Sequence, residues 1–136
     1  MAAATKTIRQ QEFFPGVTSQ AIYDAFLDGK KHSKMTGGKA TSDPHVGGEF
    51  TAWDGYIFGK YLELDPGVKI VQTWETTEWP EGAEPSRLEW TFAAVKDGAE
   101  VTMLHSNVPA SQAESYRQGW TDYYWTPMKE YFAAGA

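Results

Sequence analysis

The sequence predicts an α+β fold: one antiparallel sheet of about six or seven strands, with a long helix near the C-terminus lying across one face. Three observations carry this reading. Turn signals recur at short intervals, at Asp43-Pro44, Gly47-Gly48, Asp54-Gly55, Asp65-Pro66-Gly67, the stretch from Trp79 to Ser86, and Asp97-Gly98. The runs between them alternate apolar and polar residues, the period of a half-buried strand, and connections this short favour antiparallel neighbours. The stretch from Ala110 to Ala134 instead repeats its apolar residues every three or four positions, the period of a helix.

In chain order, strands are expected at about 5–13, 38–43, 49–53, 56–64, 68–77, 86–95 and 99–106. Between the first two, Thr18 or Ser19 is placed to cap a short amphipathic helix with Ile22, Ala25 and Phe26 on one face and a stop at Gly29. The stretch GKKHSKMTGGK, residues 29–39, gathers Lys30, Lys31, Lys34 and Lys39 around His32. It reads as a solvated helix end, whose cations suit a helix C-terminus, or as a surface for an acidic partner. In YIFGKYLEL the alternation slips around Gly59, which predicts a bulge or bend there. RLEWTFAAV sets Leu88, Trp90, Phe92 and Ala94 against Arg87, Glu89 and Thr91, and EVTMLHS places Val101, Met103 and His105 together on the apolar side.

The last element carries Ala113, Tyr116, Trp120, Tyr124, Met128 and Phe132 or Tyr131 at helical spacing. Pro127 removes a backbone donor and crowds the carbonyl four residues earlier, so a kink is expected near Tyr123 or Trp125, with Thr126 recapping the last turn. The crowd of rings in GWTDYYWTPMKEYF fills the space between helix and sheet, lines a ligand cavity, or forms a partner surface.

Composition narrows the function classes. The chain has 136 residues, 41% of them hydrophobic and 22% charged, with no repeat, linker or apolar run near the roughly 18 residues of a membrane span. One domain over 1–136 is expected, with no membrane partner. The net charge of −6 opposes a phosphate backbone, so nucleic acid is not an expected partner. The leading residues MAAATKTIRQ lack an apolar core for a secretory signal, and there is no cysteine, which together point to the cytoplasm.

Chemistry is sparse. His32, His45 and His105 are far apart and form no metal-ligand spacing, so no metal or other cofactor is expected. His105 reads as a satisfied core histidine or as the polar anchor of a ligand. Nucleophile-elbow, phosphate-loop and dinucleotide fingerprints are absent, and the carboxylates are scattered over strands. Trp79, ahead of Pro80, Glu81 and Gly82, sits in a loop with no period to bury it, and marks either a contact surface or a lid over the end of the sheet.

The order of Gly47-Gly48-x-Phe50, Asp54-Gly55 followed by Gly59, Ile70-Val71 with Trp74, Trp79-Pro80-Glu81-Gly82, and Gly119-Trp120 with Tyr123-Tyr124 resembles the C-terminal domain of the activators of the ninety-kilodalton heat-shock chaperone's ATPase. The resemblance covers nearly the whole chain. It implies a START-like helix-grip fold, a curved antiparallel sheet wrapped around the C-terminal helix, with two short helices after the first strand. It also implies a hydrophobic cavity lined by Trp74, Trp90, Phe92, His105, Trp120 and Tyr124, suited to a small hydrophobic ligand. The partner it implies is the chaperone, met through the loop of Trp79, Pro80 and Glu81; Lys30, Lys31 and Lys34, read from the charge cluster alone, are further expected contacts. The expected function is a co-chaperone-like module rather than an enzyme, the alternative being a carrier or sensor of a small hydrophobic molecule. The family's N-terminal domain, with its main grip on the chaperone, has no counterpart here, which puts chaperone binding ahead of ATPase stimulation. The lysine-rich stretch from Lys30 to Lys39 departs from the family's pattern.

Overall fold

Strand β1 (Thr5–Pro15) runs along one margin of the sheet in a computed structural model that describes residues 4–134. Residues 1–3, part of the stretch read for a leader, lie outside the described residues. Helix α1 (Ser19–Leu27) starts where its cap predicts: Thr18 keeps an extended backbone, and its hydroxyl accepts the N–H of Ala21 at 3.1 Å. The helix buries Ile22, Tyr23, Ala25 and Phe26.

The next stretch differs from the expectation of a trailing helix end. The Asp28 carboxylate accepts the N–H groups of Lys30 at 2.9 Å and Lys31 at 3.1 Å, which ends α1 and caps a separate helix, α2 (Gly29–Thr36). Lys30 and Lys31 therefore lie in a first turn, where the helix dipole disfavours cations, and not in the last turn of α1. The two short helices that the resemblance implies are both present.

Strands β2 (Thr41–Ser42), β3 (Glu49–Ala52), β4 (Ile57–Asp65), β5 (Lys69–Thr76), β6 (Ser86–Val95) and β7 (Gly98–Pro109) follow as a meander, and every neighbouring pair is antiparallel. The order is β1-β7-β6-β5-β4-β3-β2, so the connection through α1 and α2 carries the chain from one margin to the other. Strand β2 is shorter than the predicted 38–43 because Ser33 Oγ takes the Ala40 N–H at 2.8 Å, tying that backbone to α2. The irregularity expected at Gly59 lies further along, where the register slips between Tyr61 and Glu63. Gly59 pairs in register with Phe50, and its hydrogen side chain serves a close approach: a Cβ there would lie 2.1 Å from the Thr73 carbonyl oxygen.

The C-terminal segment is continuous, α3 (Ala110–Trp120), a π-helical turn at Thr121–Trp125 and α4 (Thr126–Ala133). The disturbance attributed to Pro127 falls at the predicted place and takes the π form. The Thr126 N–H reaches five residues back to the Thr121 carbonyl. Thr126 itself is helical, with no side-chain cap, in contrast to the expected recapping.

The sheet curls around this segment. Trp125 packs on Phe14 of β1 at 6.2 Å and donates its Nε1–H to Gln10 Oε1 at 2.7 Å, while Tyr123 meets Trp53 in the β3–β4 turn at 5.3 Å. A flat sheet of this many strands is about 29 Å across, against a helix about 10–12 Å in diameter. Contact with one helix from strands as far apart as β1 and β3 requires curvature, and the enclosed space holds the core.

Candidate functional site

The alternation of β5, β6 and β7 turns Trp74, Trp90, Phe92 and His105 inward, and the helix brings Tyr116, Trp120, Tyr124 and Trp125 down onto them. These rings fill the interior. Trp74 lies 5.0 Å from Tyr116 and 5.5 Å from Trp120, and Trp90 lies 4.6 Å from Phe26 and 5.4 Å from Trp120. The void left among them is about 10 Å³, at the lower limit for one water.

His105 is sealed within this packing, 4.7 Å from Trp74. Trp120 Nε1–H donates to its Nδ1 at 3.2 Å, so the proton sits on Nε2, which donates to Ser86 Oγ at 2.7 Å. Ser86 Oγ donates in turn to the Trp74 carbonyl at 2.7 Å. Burial pushes the His105 pKa down to about 3, and the ring is neutral. His32 is pushed down to about 4 by burial, partly offset by the Phe26 carbonyl that takes its Nδ1–H at 3.3 Å. Its Nε2 accepts the Tyr124 hydroxyl at 2.9 Å, and burial raises the tyrosine's pKa.

The open space lies to one side of the interior. A cleft of about 490 Å³ runs between the β3–β4 turn, with Trp53, Tyr56 and Ile57, and the helix, with Ser115, Tyr116, Gly119 and Tyr123; Trp74, Trp120 and Tyr124 also line it. Tyr56 donates its hydroxyl to Glu78 at 2.7 Å. Tyr116 donates to Gln112 Oε1 at 2.7 Å and lies 2.8 Å from Thr76 Oγ1. Burial and Glu78 raise the Tyr56 pKa to about 12, and burial raises that of Tyr116, so both hydroxyls stay protonated at neutral pH. The cleft thus offers aromatic faces and two neutral hydroxyls.

Of the cavity residues implied by the resemblance, Trp74, Trp120 and Tyr124 line this cleft. Trp90 faces the small void, Phe92 packs on Tyr23 and Phe26, and His105 is closed off by its own partners. The sequence reading missed Trp53 and Tyr56, and held Tyr123 only within the ring-rich stretch GWTDYYWTPMKEYF. Trp53 is expected as the last residue of the strand at 49–53, whereas β3 stops at Ala52 and leaves it in the turn. Its φ of 51° is left-handed, and its ring lies so close to Gly38 that a Cβ there would sit 2.4 Å from it.

Trp79 covers the end of the sheet, stacked on Tyr116 at 5.9 Å, with its Nε1–H donated to the Glu84 carbonyl at 2.9 Å. Glu81 beside it is exposed, and Pro80 lines a groove of about 600 Å³ with Asn107, Pro109 and Ser111. Lys30, Lys31 and Lys34 stand exposed on α2, away from this loop in sequence and carried by a different element. Among the described residues no cluster of His, Asp and Glu is arranged to hold a metal ion, and no helix is long and apolar enough to cross a membrane.

A family described as activator of Hsp90 ATPase homolog 1-like protein matches residues 17–133. The human activator of 90 kDa heat shock protein ATPase homolog 1 is 32% identical over 117 residues, covering 86% of this chain and 34% of that protein. The homolog from Dictyostelium discoideum is 34% identical over 119 residues, covering 85% of this chain and 30% of that protein. The chain therefore spans about a third of the length of the curated relatives it matches. Among solved structures, an HSP90 activator from Plasmodium falciparum superposes with a TM-score of 0.82 at 25% identity, covering 95% of this chain and 96% of that one. The Aha1 dimer from Colwellia psychrerythraea, at 16% identity and a TM-score of 0.73 over 87% of this chain and 90% of that one, shares the fold. With its curved sheet, gripped helix and matched residues, this chain belongs to the family of activator of Hsp90 ATPase homolog 1-like proteins and has their START-like helix-grip fold.

Proposed function

We propose that this chain is a cytosolic co-chaperone module that binds the ninety-kilodalton heat-shock chaperone and raises its ATP turnover. The observation that carries the reading is the family match across residues 17–133, joined to relatives named as activators of that ATPase. Such an effect requires a higher affinity for one chaperone conformation than for the others. A binding role rather than an enzymatic one also suits the cleft, whose tyrosines are held protonated, and the two buried histidines, whose ring nitrogens are all engaged. The test measures association and ATP turnover of the chaperone with and without the purified chain. Association with faster turnover supports the proposal; a chain that neither associates nor changes turnover removes it.

The cleft favours a second reading, a carrier or sensor of a small hydrophobic molecule. Its volume of about 490 Å³ and aromatic lining suit a ligand of that size. An apolar dye that gains fluorescence with the chain, and loses it when Ser115→Trp fills the cleft, supports this role. Equal dye binding by both forms excludes the cleft as the site.

A further inference from the structure

Helix α2 is a cationic platform on an acidic protein. Its buried face, His32, Met35 and Thr36, ties it to the body, and Ser33 Oγ bridges the Gly29 carbonyl at 2.7 Å and the Ala40 N–H at 2.8 Å. Its other residues present Lys30, Lys31 and Lys34 to solvent, followed by exposed Lys39. Four of the chain's 12 cationic side chains thus fall within ten positions, although the net charge is −6. Among the described residues none of the four is in a salt bridge, a state they share with Lys6, Arg9, Lys60 and Lys96, so it is their clustering that sets them apart.

Local stability accounts for Lys34, in the last turn where the dipole favours a cation, but not for Lys30 and Lys31. Lys30 and Lys31 occupy the first turn, where the helix dipole favours acids, and no acidic residue stands in that turn. The neighbouring carboxylate, Asp28, caps the helix through the Lys30 and Lys31 N–H groups. A helix tuned for stability alone would place glutamates at these positions.

From this placement we infer that the lysine face of α2 docks an acidic peptide segment of a protein partner. The helix is about 12 Å long, which matches an extended run of roughly four residues. The acidic remainder of the molecule repels a long polyanion, which a short peptide segment escapes. A short aspartate- or glutamate-rich segment fits the patch, and a nucleic acid strand does not. Only the partner's identity rests on the chaperone-binding proposal.

The test compares wild type, K30Q/K31Q/K34Q, and a control of equal charge loss on exposed lysines elsewhere, K6Q/K60Q/K96Q. Each is titrated with an oligoglutamate peptide, an oligonucleotide of matched charge, and the chaperone. Wild type is expected to bind the peptide, more weakly as salt rises, and the α2 variant to lose about tenfold in affinity while the control and the thermal midpoints stay unchanged. No binding of the peptide by wild type, equal losses in both variants, or preference for the oligonucleotide overturns the inference. Chaperone binding that is indifferent to the α2 lysines overturns it for that partner and leaves the chaperone reading standing. Peptide binding without chaperone binding does the reverse.

Discussion

His105 and His32 show how a titratable side chain becomes part of an apolar core. Each ring donates from one nitrogen and accepts on the other, so the neutral form is satisfied and the charged form would have to replace an acceptor with a second donor. Folding lowers both pKa values from 6.5, to about 4 for His32 and about 3 for His105. The unfolded chain therefore binds more protons below pH 6.5, and the stability is fully present above that pH and lost as the pH falls toward 4 and below. Denaturant melts should show an unfolding free energy that drops by about 1.4 kcal/mol per pH unit for each histidine over this window. A flat profile between pH 6.5 and 4 would show that the rings are open to water. At the same cluster, Tyr124→Phe leaves His32 Nε2 buried without a donor and should cost about 1–3 kcal/mol at neutral pH, read from the shift in denaturation midpoint.

At the scale of elements, the π turn is the feature that needs a reason. Tyr116, Trp120, Tyr124, Met128 and Phe132 are buried at a spacing of four. In an α-helix that spacing drifts around the axis by about 40° per step, which would carry the last rings off the sheet. A π turn holds more residues per turn and brings the stripe back, so Tyr124 and Trp125 both stay in the core. Pro127 helps to locate the turn, because it cannot supply the N–H that the Tyr123 carbonyl would receive in an α-helix. Since packing holds the turn, Pro127→Ala is expected to keep the π geometry and to lose only about 0.4–1 kcal/mol through the freer unfolded chain. An amide NMR or crystal structure of the variant with regular α-helix through residues 121–125 would show instead that proline alone imposes the turn.

For the whole molecule, the sheet and helix are one body because strands far apart in the sheet touch the same helix: Phe14 and Gln10 from β1, and Trp53 from the β3–β4 turn. Neither β1 nor the β3–β4 turn can peel away from the helix without exposing aromatic surface. Thermal or urea unfolding followed by tryptophan fluorescence and by far-ultraviolet circular dichroism should therefore coincide in one transition. Separate transitions would divide the chain into independent units. The same curvature sets the cleft, which lies where the β3–β4 turn stands off from the helix at Gly119 and Tyr123. Exposed Tyr123 and half-buried Trp53 meet across that gap, so one wall of the cleft is made of residues that neither element buries alone.

The sequence by itself determined the order of strands, their alternation, the cap of α1, the place of the disturbance before Pro127 and the family. All but the family, which rests on motifs spread along nearly the whole chain, depend on neighbours within a few residues, whose side chains and backbone donors can be counted along the chain. It also placed Trp90 and His105 on inward faces, because a strand's period fixes its sides, and the family resemblance added Trp74 to them. The split of the lysine stretch into its own helix was less legible, since Asp28 had to be recognised as an end for one helix and a cap for the next. Only the tertiary structure decided which inward residues meet open space: His105 and Trp74 are both inward, yet one is sealed by Ser86 and Trp120 while the other lines the cleft. That outcome depends on sheet curvature and on residues far apart in sequence packing from both sides, and no local pattern of polarity records it.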